Sequence, residues 1–286
     1  MKIYQHEKDL NLQDCIIAST SVDATLSIPE KFTKADSPAI LLPPTKDLMA
    51  VQGILVTTTW NRNDDVFSPR EVWPARYSAK YKPANMDHKG KEMDGENRNI
   101  GVICDSEPVD DDYNIITANI DGSHNIPEYY HLMVSMYLWE KYWPTPVKKI
   151  RDGIDADAMF ISMECMFDDF GYAIRPKNGD SSQSVSLIPR NEETSWLTSY
   201  LKMYKGKGEI NLNGIAYRIG RWLRQITFTG VGFTPKPANA PSILFDNYIS
   251  NAALKEIDPQ DFSKEFVSFL ETGVFTINTG TISLWQ

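Results

Sequence analysis

The run Ala158-Met159-Phe160-Ile161-Ser162-Met163-Glu164-Cys165-Met166-Phe167 decides how the chain is read. It is apolar apart from one serine and one glutamate. Asp155 and Asp157 precede it, and Asp168, Asp169 and Gly171 follow. A run of this length between turn residues reads as a buried strand. Alternation along a strand places Phe160, Ser162, Glu164 and Met166 on one face. A buried hydroxyl or carboxylate without partners is costly, the charge more so. The two side chains are therefore either satisfied locally or part of a site.

Upstream, residues 1–50 read as an irregular N-terminal arm with short strands, punctuated by Pro29, Pro38, Pro43 and Pro44. Val51 to Trp60 is a strand by β-propensity, and Asn61-Arg62-Asn63-Asp64-Asp65 a polar turn. Ser68-Pro69 opens a short helix that Pro74 limits. A polar loop over 80–98 carries His88 and leads into a strand at 100–104. A second strand over 113–120 is expected to pair with it across Asp110-Asp111-Asp112. Pro127-Glu128 opens an amphipathic helix predicted over 127–143, with Tyr130, Met133, Val134, Tyr137, Leu138 and Trp143 near helical spacing and His131 inside it. Pro144 and Pro146 end it, and a shorter helix at 147–151 reaches the central strand.

Downstream, Tyr172-Ala173-Ile174 is expected to turn back as a hairpin partner, followed by a mobile serine-rich loop over 176–190. A helix is predicted over 192–204. Another is predicted over 215–225, with Arg218, Arg221 and Arg224 along one face. A strand over 226–234 contains Gly230-Val231-Gly232. The main domain spans 51–246. Residues 247–286 read as peripheral, with one amphipathic helix after Asp258-Pro259. Strands outnumber helices without alternating with them, so the class is α+β: a mixed sheet or barrel with peripheral helices.

Whole-chain chemistry narrows the function. The chain has 286 residues, 42% apolar and 23% charged, with a net charge of -9. That acidic balance argues against a nucleic-acid partner. No apolar run is long enough to span a bilayer. Three scattered cysteines suit free thiols in an intracellular setting rather than a disulfide frame or a zinc motif. Glycine loops for nucleotides are absent, so no cofactor is expected. Acidic runs such as Asp110-Asp111-Asp112 read as solvated turns, and a metal-dependent hydrolase is a distant reading.

Of four histidines, His131 reads as structural, His6 as solvated and His124 as a turn residue. His88 differs, because a loop feeding a core strand can hold a side chain against a neighbouring strand. A serine hydroxyl is a poor nucleophile until a base takes its proton, and imidazole does this near neutral pH. No Gly-x-Ser-x-Gly elbow surrounds Ser162.

Three groups of residues together resemble the prohead core proteases of large tailed bacteriophages. These are His88 with Ile100-Gly101-Val102-Ile103; Ser162-Met163-Glu164-Cys165; and Phe228-Thr229-Gly230-Val231-Gly232 with Pro237-Ala238-Asn239. The segments Asn61-Arg62-Asn63-Asp64-Asp65-Val66-Phe67…Glu71 and Lys82-Pro83-Ala84-Asn85-Met86-Asp87 are also similar to that family. The resemblance covers roughly 51 to 243 and leaves both ends unmatched.

The resemblance implies a mostly antiparallel β-barrel ringed by helices, like the herpesvirus assembly protease. It implies a serine endopeptidase that cleaves scaffold and major capsid proteins, and itself, inside the immature head in the host cytoplasm. Ser162 is then the nucleophile and His88 the general base. The herpesvirus enzymes place a second histidine after the serine, and this chain has none there. Glu164, Asp168 and Asp169 are the candidates for the third member. Backbone N–H groups, Arg175 or Arg221 are candidates to stabilise the oxyanion. Cleavage after glutamate is implied, with Ile28-Pro29-Glu30 as one internal site. Inhibition by either end or by the 176–190 loop is expected, and a homodimer by analogy. The alternative is a proteolytically silent relative serving as a scaffold or structural head component.

Overall fold

The computed structural model describes residues 1–27, 47–61, 63–86, 88, 99–117, 126–156, 158–177 and 185–234, with strand segments at 255–256, 275–277 and 280–282. In order come α1 (Gln5–Asp9), α2 (Gln13–Ala18), β1 (Ser21–Ser27), β2 (Met49–Thr57), β3 (Asp65–Val66), α3 (Pro69–Ala75), β4 (Pro83–Met86), β5 (Gly101–Val109) and β6 (His131–Leu138). There follow α4 (Pro144–Asp155), β7 (Phe160–Pro176), β8 (Ser186–Ile188), β9 (Glu209–Leu212) and β10 (Ile215–Thr234). Last come β11 (Lys255–Glu256), β12 (Phe275–Ile277) and β13 (Gly280–Ile282). The helix expected after Asp258-Pro259, His124, and Ile28-Pro29-Glu30 lie outside the described residues.

β7 and β10 form the spine, 17 and 20 residues long, antiparallel from Pro176–Tyr217 to Phe160–Thr234. The sheet runs β11-β8-β7-β10-β4-β5-β6-β2, with β1 on β7 and β3 and β9 on β10. Most pairs are antiparallel, but β10 runs parallel to β3 and β4, and β8 to β11. The α+β class holds. The closed barrel does not form. β2 meets β7 through side chains, where a Cβ on Gly53 would lie 2.6 Å from Ile161 Cδ1. Closure would need the edge of β7 that β1 occupies from Phe160 to Met166.

Two expected helices are strands. Residues 131–138 form β6, nearly all buried, between β2 and β5. Residues 215–225 are the first half of β10. A strand buried on both faces carries a continuous apolar run, and such a run also satisfies helical spacing. The arginines at 218, 221 and 224 lie on a strand and do not line one face of a helix. Arg218 pairs with Asp64, Arg221 with Asp65 at 2.7 Å and Arg224 with Glu71 at 3.2 Å. The polar turn at 61–65 thus supplies two buried carboxylates, Asp64 and Asp65. Burial pushes the Asp65 carboxyl up, and the Arg221 guanidinium beside it opposes that rise.

Other boundaries also differ. Tyr172-Ala173-Ile174 does not turn back. β7 runs straight through Asp168 and Asp169, and Gly171 lets Trp222 pack across it, 2.7 Å from where a Cβ would sit. The hairpin partner of that end is β8, inside the stretch expected to be loop. Residues 113–117 bridge β5 only at Ile115. Pro144 starts α4 rather than ending a helix, as a proline fits the first turn. Residues 195–200 and 202–204 are short 3-10 turns, not one helix.

The described part of the N-terminal region is not irregular either. α1 and α2 are short, and a buried ion pair holds the first to the sheet. Arg190 Nε and Nη2 donate to Glu7 Oε1 and Oε2, both at 2.7 Å, and both side chains are 0% exposed. Glu7 also accepts from Thr198 Oγ1 at 2.7 Å and from the Tyr4 backbone N–H at 2.9 Å.

His131 sits on β6, with Nδ1 2.8 Å from Thr57 Oγ1 and Nε2 3.2 Å from Asp111 Oδ1, and Tyr129 and Tyr113 beside the ring. Burial lowers its pKa, and the nearby Asp111 and Asp110 only partly offset this. The unfolded chain therefore binds the proton more readily. The contribution is fully present above the unfolded pKa of about 6.5 and lost as pH falls toward the lower folded pKa. His131→Gln is expected to flatten the fall in urea midpoint between about pH 7 and 5. An unchanged slope would show that other groups set it.

Candidate active site

Three strands build the site, and the middle one contributes space. Ser162 on β7 lies opposite Gly232 of β10, which lies opposite Asn85 of β4. Neighbouring strands are about 5 Å apart, so β4 and β7 stand about 10 Å apart with β10 between. A side chain reaching from one outer strand to the other must cross the middle one. His88, just past β4, makes that crossing. Its φ is 60°, in the left-handed region a non-glycine residue rarely adopts, and such backbone strain gathers at functional sites.

The imidazole lands between two residues of β7. His88 Nε2 is hydrogen-bonded to Ser162 Oγ, and Nδ1 lies 2.9 Å from Glu164 Oε1. The same oxygen accepts from Asn85 Nδ2 at 2.8 Å. Ser162 is buried, at 1% exposure, while His88 is partly open. The carboxylate fixes the tautomer: Nδ1 carries the proton and donates to Glu164, so the Nε2 lone pair faces the serine hydroxyl. Alternation along β7 explains why Ser162 and Glu164, two residues apart, reach one ring.

Glycines keep the crossing open. A Cβ on Gly232 would lie 2.9 Å from both His88 Cε1 and Nδ1. A Cβ on Gly230 would lie 2.6 Å from Glu164 Oε2 and 3.1 Å from Pro83 O. A register shift between Phe228 and Gly230 sets this placement. Without the extra residue, Thr229 and Val231 would face Glu164 and Ser162, and their branched side chains would fill the crossing. Bulges beside active sites re-aim side chains in this way. Gly232→Ala is expected to displace the ring and slow organofluorophosphonate labelling of Ser162 about 100-fold, with the far-UV spectrum unchanged. Unchanged labelling would show that the ring has room to spare.

The other candidates lie elsewhere. Asp169 pairs with Arg190 at 3.2 Å, and Asp168 is exposed. Arg175 pairs in register with Arg218 and stacks over Trp60 at 5.3 Å. Arg221 is held by Asp65 opposite Tyr172, about 30 Å of extended strand beyond Ser162. Neither arginine is placed to meet an oxyanion at Ser162. No group of three His, Cys, Asp or Glu side chains among the described residues is arranged to hold a metal ion.

No family model, curated protein or solved structure matches the chain.

Sequence reasoning passed over Asn85. The signal available was a buried-type strand, Pro83-Ala84-Asn85-Met86, with one amide among apolar neighbours three residues before the histidine.

Proposed function

We propose that the chain is a serine endopeptidase of phage head maturation, cleaving scaffold and major capsid proteins, and itself, within the immature head. The observation that carries this reading is the relay Ser162–His88–Glu164. The motif resemblance to prohead core proteases supplies the substrate class and a kinship with the herpesvirus assembly protease, in an open-sheet form. No described helix is long and apolar enough to cross a membrane.

The chemistry follows from the contacts. Ser162 Oγ attacks the scissile carbonyl carbon as its proton passes to His88 Nε2. The imidazolium is stabilised by Glu164, which accepts from Nδ1. The tetrahedral adduct collapses to an acyl-serine, and His88 returns the proton to the departing amine. Water then enters by the same base and releases the acid.

The test is intact-mass analysis of the chain alone and with its scaffold protein, with and without an organofluorophosphonate. Fragments that disappear as the reagent's mass appears on Ser162 support the protease. Intact scaffold together with an unlabelled serine would favour the silent structural relative.

A further inference from the structure

Asn85 is 2% exposed on β4, and its amide nitrogen reaches across β10 to Glu164 Oε1. Its own oxygen, Oδ1, is buried and accepts no hydrogen bond among the described residues. An asparagine kept only for packing would be replaced to advantage by an apolar residue, because a half-satisfied buried amide is a cost. The orientation is forced, since a carboxylate only accepts and the amide nitrogen must therefore face it. Ala84 and Met86 on either side are buried core residues. The amide is the one polar group of that strand segment, and it is spent on Glu164.

The consequence concerns the oxygen that holds the base. His88 Nδ1 and Asn85 Nδ2 share Glu164 Oε1. Two donors on one oxygen fix the carboxylate's rotation. The amide also draws off part of its charge, which limits how tightly it holds an imidazolium. A base held too tightly in its protonated form is unavailable at neutral pH.

We propose that Asn85 is a positioning residue that locks Glu164 against His88 and sets the pH at which His88 acts as base. This rests on the serine-protease reading for its use, and on geometry alone for its effect on His88. Among the described residues, the carboxylate hydrogen-bonded to the ring is Glu164 from β7, while β4 and β10 present Asn85 and Gly232, which do not titrate.

The experiment compares the full chain with Asn85→Ala and Asn85→Asp by two readouts. The first is the rate of organofluorophosphonate labelling of Ser162 against pH. The second is the His88 imidazole titration followed by NMR. Asn85→Asp places a second carboxylate beside Glu164 and is expected to raise the His88 midpoint by about one pH unit. The acid limb of labelling should move with it. Asn85→Ala is expected to raise the midpoint less and to slow labelling roughly tenfold at neutral pH. A purely structural role would lower the thermal midpoint and leave both pH profiles in place, which would overturn the proposal. If the parent chain does not label at all, the protease reading fails, and the NMR titration still decides for or against Asn85.

Discussion

Ser162→Ala is expected to lower cleavage of scaffold, and of the chain itself, by at least about 10⁴-fold while the fold persists. The side chain removed is small and buried, and its hydroxyl is bonded to His88 Nε2. Alanine fits the space, and the imidazole keeps its bond to Glu164. Stability should therefore change little, and the loss should be one of chemistry. His88→Ala should cost a comparable factor, and the double variant little more, because nucleophile and base act as a unit. The measurement is the rate of fragment formation by mass spectrometry, beside a urea denaturation curve. Persistent cleavage by the Ser162 variant, at the same peptide bonds, would remove Ser162 from the mechanism and the proposed function with it.

Arg190→Ala is expected to destabilise the fold by about 3–5 kcal/mol. The guanidinium lies 4.4 Å over Phe170 and binds both oxygens of Glu7 as well as the Lys2 carbonyl. Truncation leaves a fully buried carboxylate with Thr198 and the Tyr4 N–H as its remaining described donors. An uncompensated buried charge is what makes breaking such a pair costly, more than any net value of the pair itself. The paired change Glu7→Leu with Arg190→Met should accordingly recover much of the loss. Denaturant unfolding of the three proteins checks this. If the single variant costs under about 1 kcal/mol, Glu7 has access to water and the ion pair is not sealed.

The fold was legible where a short apolar or β-branched run was bounded by turn residues. The strand at 158–167 followed from an apolar run between turn residues, its shared Ser162/Glu164 face from alternation, and β2 from β-propensity. Reading failed where both faces are buried. In β6 and the first half of β10, buried positions fall on both faces, so the apolar residues fit helical as well as strand spacing. α1 and α2 gave no signal of their own because their 5 and 6 residues are too short to be stable alone. Tertiary partners such as Arg190 hold them. Within the site, Ser162 and His88 came from motif resemblance and Glu164 from strand parity. Asn85 escaped because its role depends on β4 running parallel to β10, and local sequence does not encode that pairing.

The order of strands along the chain has a further consequence. The residues that meet at Ser162 Oγ come from positions 85–88 and 162–164, yet the strand that sets their spacing ends at Thr234. During synthesis, Ser162 and His88 leave the ribosome well before that strand exists. β7 can pair with β1, and β4 with β5, but β10 sets their register relative to one another and the interval that the imidazole bridges. On the proposed function, a growing polypeptide would be unable to assemble the relay until translation has passed Gly232. Translation order itself would then supply the first delay in activation.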